Sequence, residues 1–331
     1  MKRLKAADHA KTYENVVYIE NLSSNEYFQK NGEEAAPVLR DISLSVKKGQ
    51  CWGINGDSLF SIKILLEIIS NIRPYKDGKC SLLEMGMMRS KRVILPHVFY
   101  IGSPGMVYNN MNVLEFLMFA TANSKTDKVL QQEQIFESLI NIGLKKISMS
   151  PVRSLTKEQK AVIILLTAAY SSSDFAVFNL PEYSFDDALT GAMSKIAKFM
   201  SKKGKTLLIG TQSPDLIETV CTHTAYIVNG VSAYTGTVGE FKKKYDRIMM
   251  KISDKNAADL AKKLCTMLPE YDFSVDEDII TVRNYSEEED NVRLVYEKIA
   301  ETGFAPEKVK LNPKRVKYAC EEIKRQYDLQ K

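Results

Sequence analysis

Polar and apolar positions alternate in two early stretches, Val16 to Leu22 and Val38 to Val46 (VLRDISLSV), and the alternation with β-branched residues predicts strands. The polar loop between them carries Tyr27, Phe28 and an Asn-Gly turn at Asn31 and Gly32. A glycine-bearing turn then leads from the apolar pair Cys51 and Trp52 into a long apolar helix. A Lys-Asp-Gly turn at Lys76 to Gly78 and short strands through Leu83 and from Val93 to Ile101 follow. From Pro104 the period lengthens to that of helices, at Asn112 to Ala122, Val129 to Ile142 (stopped by Gly143) and Thr156 to Tyr170. Phe175 to Leu180 reads as a buried strand, Asp187 to Met200 as a helix and Thr206 to Ile209 as a strand. Strands that bracket helices in this way make a largely parallel sheet with helices on its faces, and residues 104–170 make a helical insertion.

After Gly239 and the basic connector Lys242 to Tyr245 a second pattern begins. Strands at Ile248 to Ile252, near Phe273, at Ile279 to Val282 and at Val309 to Leu311 alternate with helices at Ala257 to Leu268 and Val292 to Thr302. A terminal helix spans Pro313 to Gln330. The order is βαββαβ plus a helix, that of a small two-layer α+β domain. The expected division is a mobile tail at 1–15, an α/β domain at 16–245 and an α+β accessory domain at 246–331.

Composition narrows the function classes. With 331 residues, 44% hydrophobic and 26% charged, the chain has ordinary globular composition. Its 46 Lys and Arg against 41 Asp and Glu are a modest excess, which reads as solvated surface and does not call for nucleic acid. The five cysteines are widely spaced without a C-x-x-C pair, so free thiols are expected and zinc is not. No apolar run has the length of a membrane span or the shape of a leader, which predicts a cytoplasmic protein that reaches a membrane through a partner.

The stretch VKKGQCWGINGDSLFSIKILLEIISNIRP (Val46 to Pro74) has the punctuation of a phosphate-binding loop. Such a loop works through close backbone approach at glycines, N–H groups at a helix start, a lysine on the β/γ oxygens and a hydroxyl on magnesium. Gly53 and Gly56, with Asn55 between them, keep its first half. Where the ungapped pattern continues with Gly, Lys and Ser/Thr, the chain has Ser58, Leu59 and Phe60. Asp57 adds a carboxylate, and a like charge about 4 Å away costs about 4 kcal/mol at an effective dielectric of about 20, which opposes a triphosphate. Ser61 and Lys63 lie close by as substitutes, but Lys63 needs a register shifted by a helical turn.

With the loop placed, four segments in order resemble the ATP-binding subunit of an ABC transporter, in particular the bacterial exporter type with a small C-terminal domain. VLRDISLSVKKGQCWGINGD resembles the lead-in to its Walker A loop, and FYIGSPGMVYNNMNVLEFLMF (Phe99 to Phe119) its Q-loop and first subdomain helix. SLTKEQKAVIILLTAAYSSSDFAVFNLPEYSFDD (Ser154 to Asp187) resembles its signature helix, Walker B strand and D-loop. KTLLIGTQSPDLIETVCTHTAYIVNGVSAYTGTVGEF (Lys205 to Phe241) resembles its H-loop segment. The resemblance covers about residues 16–245 and implies a P-loop NTPase fold of the ATP-binding-cassette type with a helical subdomain.

The resemblance also assigns positions. The Walker B carboxylates that hold magnesium and orient water fall on Asn179 and Leu180, the Q-loop glutamine on Ser103 and the H-loop histidine on Gln212. The signature reads Leu155, Thr156, Lys157, Glu158 and Gln159, with Glu158 in place of a glycine that faces the γ-phosphate. Tyr27, or else Phe28, matches the aromatic that stacks on adenine, and Asp186 matches the D-loop aspartate. A neutral Asn179 accepts a hydrogen bond, but Leu180 neither polarises water nor takes a proton. The implied reading is a pseudo-ATPase without catalytic residues or metal of its own. ATP and magnesium bind it weakly or through a partner's composite site.

The expected partners are a membrane permease, through the helical subdomain where Met106, Tyr108, Met111, Val113, Phe116 and Phe119 keep an apolar stripe, and an active ATPase subunit or a second copy. The expected place is the cytoplasmic face of the membrane. The alternatives are a soluble regulatory or scaffold protein built on the same cassette, and a divergent ATPase whose magnesium-dependent turnover depends on Lys63 or Asp186. A nucleic-acid role ranks last, since the sequence lacks a basic linker between paired cassettes.

Overall fold

The computed structural model describes residues 14–28, 36–86, 95–103, 108–122, 127–286 and 291–328. Residues 1–13 of the expected tail, the Asn31-Gly32 turn and Met106 lie outside them, and Asn15, assigned to that tail, already opens the first strand. The chain divides into two units between Thr235 and Gly236.

In the first unit, β1 (Asn15–Ser24), β4 (Ile42–Lys47), β6 (Tyr75–Leu82) and β7 (Met85–Gly86) form an antiparallel sheet in the order β4-β1-β6-β7. Two short strands, β2 (Tyr27–Phe28) and β3 (Ala36–Pro37), pair beside it. Two expectations change here. The second strand begins at Ile42 and not Val38, because Asp41 takes a left-handed φ of 51° that breaks the extended run. Lys76 to Gly78 form no turn: they lie within β6, where Gly78 at φ 96° absorbs a register shift against β1. A Cβ on Gly78 would lie 2.3 Å from Asn21 O, so only glycine fits.

The central sheet has the order β12-β11-β5-β10-β9-β8. Its strands are β5 (Cys51–Gly56), β8 (Val98–Ile101), β9 (Phe175–Asn179), β10 (Thr206–Gly210), β11 (His223–Val228) and β12 (Val231–Thr237). All four pairings from β8 to β11 are parallel, and β5, β9 and β10 are buried along their whole length, as strands covered on both faces must be. Helix α1 (Leu59–Ile69) follows β5 and buries Ile62, Ile64, Leu65, Leu66, Ile68 and Ile69 in a core shared with both sheets.

The helical insertion comprises α2 (Val113–Ala120), α3 (Lys128–Asn141) and α4 (Lys157–Tyr170), and the central sheet is completed by α5 (Asp187–Lys202) and α6 (Pro214–Val220). Each of the five starts on a side-chain cap: Asn112, Asp127, Thr156, Asp186 and Ser213 accept hydrogen bonds from the first-turn N–H groups. No helix among the described residues is long and apolar enough to cross a membrane.

The second unit holds α7 (Val238–Tyr245), β13 (Ile248–Ser253), α8 (Ala257–Met267), β14 (Tyr271–Asp276), β15 (Ile279–Asn284), α9 (Val292–Glu301), β16 (Lys308–Leu311) and α10 (Val316–Asp328). Its antiparallel sheet runs β14-β15-β13-β16, the strand order of a split βαββαβ domain. Helix α7, which the sequence reading attached to the preceding domain, packs on α10 and is part of this unit. The terminal helix starts at Val316 and not Pro313, after Lys314 takes a φ of 56°.

Candidate functional site

The glycine loop sits at the carboxyl end of β5, where parallel α/β sheets place their ligand crevice. Both of its glycines are explained by packing. Gly53 lies inside β5, and a Cβ there would meet Ile217 at 3.0 Å and Cys221 Sγ at 3.1 Å. Gly56 pairs with Ile227 on β11 so closely that a Cβ would lie 2.4 Å from Ile227 O. Asn55 is buried, and its Oδ1 accepts the Gly56 N–H at 2.7 Å.

Asp57 donates its N–H to Ile227 O at 3.1 Å, and its carboxylate accepts the Asn229 N–H at 2.9 Å. The carboxylate expected to face the loop's interior thus caps the turn between β11 and β12. Ser58, in extended conformation at φ −124°, is the N-cap of α1 and accepts the N–H of the buried Ser61 at 3.3 Å. Three N–H groups around the loop, at Gly56, Asp57 and Ser61, therefore have acceptors within the chain. Leu59 and Phe60 open the helix with side chains 37% and 51% exposed, so apolar surface stands where a lysine and a hydroxyl are expected. Gln212 reaches the loop from beyond β10 and donates from Nε2 to Gly56 O at 3.3 Å.

Asn179 ends β9 beside the same helix. Its Nδ2 donates to Lys63 O at 3.2 Å and to Tyr100 Oη at 2.9 Å, while its buried Oδ1 has no hydrogen-bond partner. Burial pushes the Tyr100 hydroxyl above its ordinary pKa, with the Asn179 hydrogen bond opposing, so the phenol is protonated at neutral pH. Leu180 is buried, with its side chain in the core. The Lys63 ammonium pairs with Glu182 at 3.0 Å. Neither Tyr100 nor Glu182 was picked out from the sequence; Glu182, three residues after Asn179 and charged, was the available signal.

The remaining positions are spread more widely. Ser103 is exposed just after β8. Leu155 is buried, and Thr156 and Gln159 close a reciprocal capping box: Thr156 Oγ1 accepts the Gln159 N–H at 3.2 Å, and Gln159 Oε1 accepts the Thr156 N–H at 3.0 Å. Glu158 lies in the first turn, where the helix dipole favours a carboxylate, 3.7 Å from Lys157 Nζ. Lys157 lies 4.8 Å over the Tyr183 ring, and burial followed by Glu182 and Glu158 raises the Tyr183 pKa. Asp186 accepts the Leu189 N–H at 2.7 Å as the N-cap of α5. Tyr27 is exposed and takes a hydrogen bond from Lys76 Nζ at 2.7 Å, the ammonium lying 5.5 Å from its ring. No group of three metal-ligating side chains occurs among the described residues.

No family model matches the chain. An uncharacterised ABC transporter ATP-binding protein of Bacillus subtilis, YvrO, is 25% identical over 195 residues, which cover 56% of this chain and 84% of the relative. A methionine import ATP-binding protein of Clostridium tetani, MetN, is 24% identical over 219 residues, 63% of this chain and 67% of the relative. Among solved structures, cbiO1 of Clostridium perfringens, part of an ABC transporter complex, overlays with a TM-score of 0.56 at 16% identity. That overlay covers 77% of this chain and 96% of cbiO1. The chain has the ATP-binding-cassette fold. The dimeric cassette MJ0796 in its post-hydrolysis state, with ADP and phosphate bound, overlays at 0.53 with 15% identity, over 67% of this chain and 98% of that cassette.

Proposed function

We propose that the chain is a degenerate ATP-binding-cassette subunit of an ABC transporter. It pairs with an active ATPase subunit and docks on a membrane permease without hydrolysing ATP itself. Similarity in sequence to ATP-binding subunits supports the transporter assignment. One observation carries the rest: the loop after β5 is tied into its own chain and lacks the charged and hydroxyl side chains that hold phosphate and magnesium. The N–H groups of Gly56, Asp57 and Ser61 are taken by Asn55, Ile227 and Ser58, the lysine and hydroxyl positions are Leu59 and Phe60, and nearby Lys63 is held by Glu182. The residues present do not fit magnesium and a triphosphate at this loop. Neutral Asn179 and buried Leu180 offer magnesium no charge and water no base.

The start of α4 differs. Thr156 keeps a hydroxyl on an exposed turn, and in a dimer this end completes the partner's site, weakened by Glu158. The chain then contributes to at most one working site of two. At α2, Tyr108 and Phe119 are 56% and 52% exposed and meet edge to face at 5.1 Å, which supports a permease docking face. Detergent extraction of membranes with the tagged chain tests this reading. Recovery of a permease and a second cassette is expected, and loss of the permease on Tyr108→Glu with Phe119→Glu. A chain confined to the soluble fraction without either partner points instead to the scaffold reading.

A further inference from the structure

The second unit carries a solvent-open cavity of about 330 Å³, within the range of small-molecule sites. Three guanidinium groups converge on it: Arg247 just before β13, Arg283 on β15 and Arg325 on α10. They differ in how fully they are matched. Arg325 is neutralised by Glu322 through contacts of 3.1 and 3.0 Å and lies 5.3 Å over the Tyr285 ring. Arg283 donates to Ser274 Oγ at 2.6 Å and meets Asp272 only at 3.5 Å. Arg247 has no ion pair among the described residues. Its Nη1 donates to Ser286 O at 3.2 Å, and its Nε is buried with no acceptor. A buried, charged N–H without a partner is rare in folded proteins and marks a place where an acceptor belongs.

We propose that this cavity binds a small organic carboxylate on the Nε edge of Arg247, with Arg283 as the second cation. The unpartnered Nε edge of a guanidinium is a planar fork that matches the two oxygens of a carboxylate. The lining argues against a more highly charged ligand, because Asp272, Glu321 and Glu322 balance the three arginines. Those carboxylates instead suit hydrogen-bond donors at the ligand's other end. The site is independent of the cassette's nucleotide chemistry, so it stands or falls apart from the pseudo-ATPase reading.

Saturation-transfer NMR and calorimetry on the full chain, with acetate, lactate, succinate, alanine and inorganic phosphate at constant ionic strength, test the proposal. At least one carboxylate is expected to bind saturably and more tightly than phosphate, and Arg247→Lys, which keeps the charge and removes the fork, to weaken it at least tenfold. Arg283→Lys serves as the second variant should Arg247→Lys unfold. The proposal is overturned if no carboxylate saturates, if phosphate binds best, or if the folded variant binds as the parent does.

Discussion

Replacing Asn179 by Asp tests whether the end of β9 has lost its place for a metal. The substitution keeps the shape and exchanges an amide donor for a charge. Tyr100 recovers one contact by turning its hydroxyl to donate, but Lys63 O, 3.2 Å away, then faces an oxygen instead of an N–H. Because Lys63 sits inside α1, its carbonyl keeps a helical donor, and that loss alone costs about 0.5–1.5 kcal/mol. The larger cost is a buried, unpaired carboxylate at a site 3% exposed, with the Lys63 ammonium already held by Glu182. An uncompensated buried charge costs about 3–5 kcal/mol. For a unit of this size each kcal/mol lowers Tm by roughly 2–4 °C, so Asn179→Asp is expected to melt roughly 6–20 °C below the parent. Differential scanning calorimetry with and without magnesium and ATP reads both halves of the argument. A variant as stable as the parent, or one that magnesium and ATP restore, refutes it.

Lys205 binds the carbonyls that end α4, donating to Ala168 O at 3.3 Å and Ser173 O at 2.8 Å, and Lys205→Met is expected to cost about 1.5–3 kcal/mol in urea denaturation. Four of the five thiols are buried and only Cys265 is exposed, so a thiol reagent at pH 8 is expected to modify one cysteine per native chain and all five in denaturant. Burial pushes the Cys80 thiol from 9.0 up to about 12; the folded chain then binds the extra proton, and stability should fall as pH rises from 9 towards 12. Leu59→Lys combined with Phe60→Ser is expected to restore no ATP turnover in a phosphate-release assay, because Leu180 and Gln212 remain and the Asp57 N–H stays on Ile227.

The order of elements was legible because each carried a local signal: the Thr156 and Asp187 helices had their period and a capping residue, and β9 and β10 were unbroken apolar runs. The misplacements came where backbone conformation overrode composition. Asp41 at positive φ shortened a strand, and Gly78 served a bulge where Lys-Asp-Gly reads as a turn. For the candidate site, the sequence named positions but not their hydrogen-bond partners. Ser58 reads as a missing glycine and acts as a helix cap. Asp57 reads as a repelling charge and binds a turn distant in the chain. Asn179, Tyr100 and Lys63 meet only because β8, β9 and α1 are neighbours in space. Such contacts depend on tertiary packing, which no local period encodes.

The central claim is that the loop after β5 is kept for its shape and holds no nucleotide. Equilibrium binding of labelled ATP to the isolated chain, with magnesium and at physiological ionic strength, measures it directly. The account predicts no saturable binding in the micromolar range and no change in Tm on adding the nucleotide; micromolar affinity, abolished by changing Lys63 or Ser61, would contradict it.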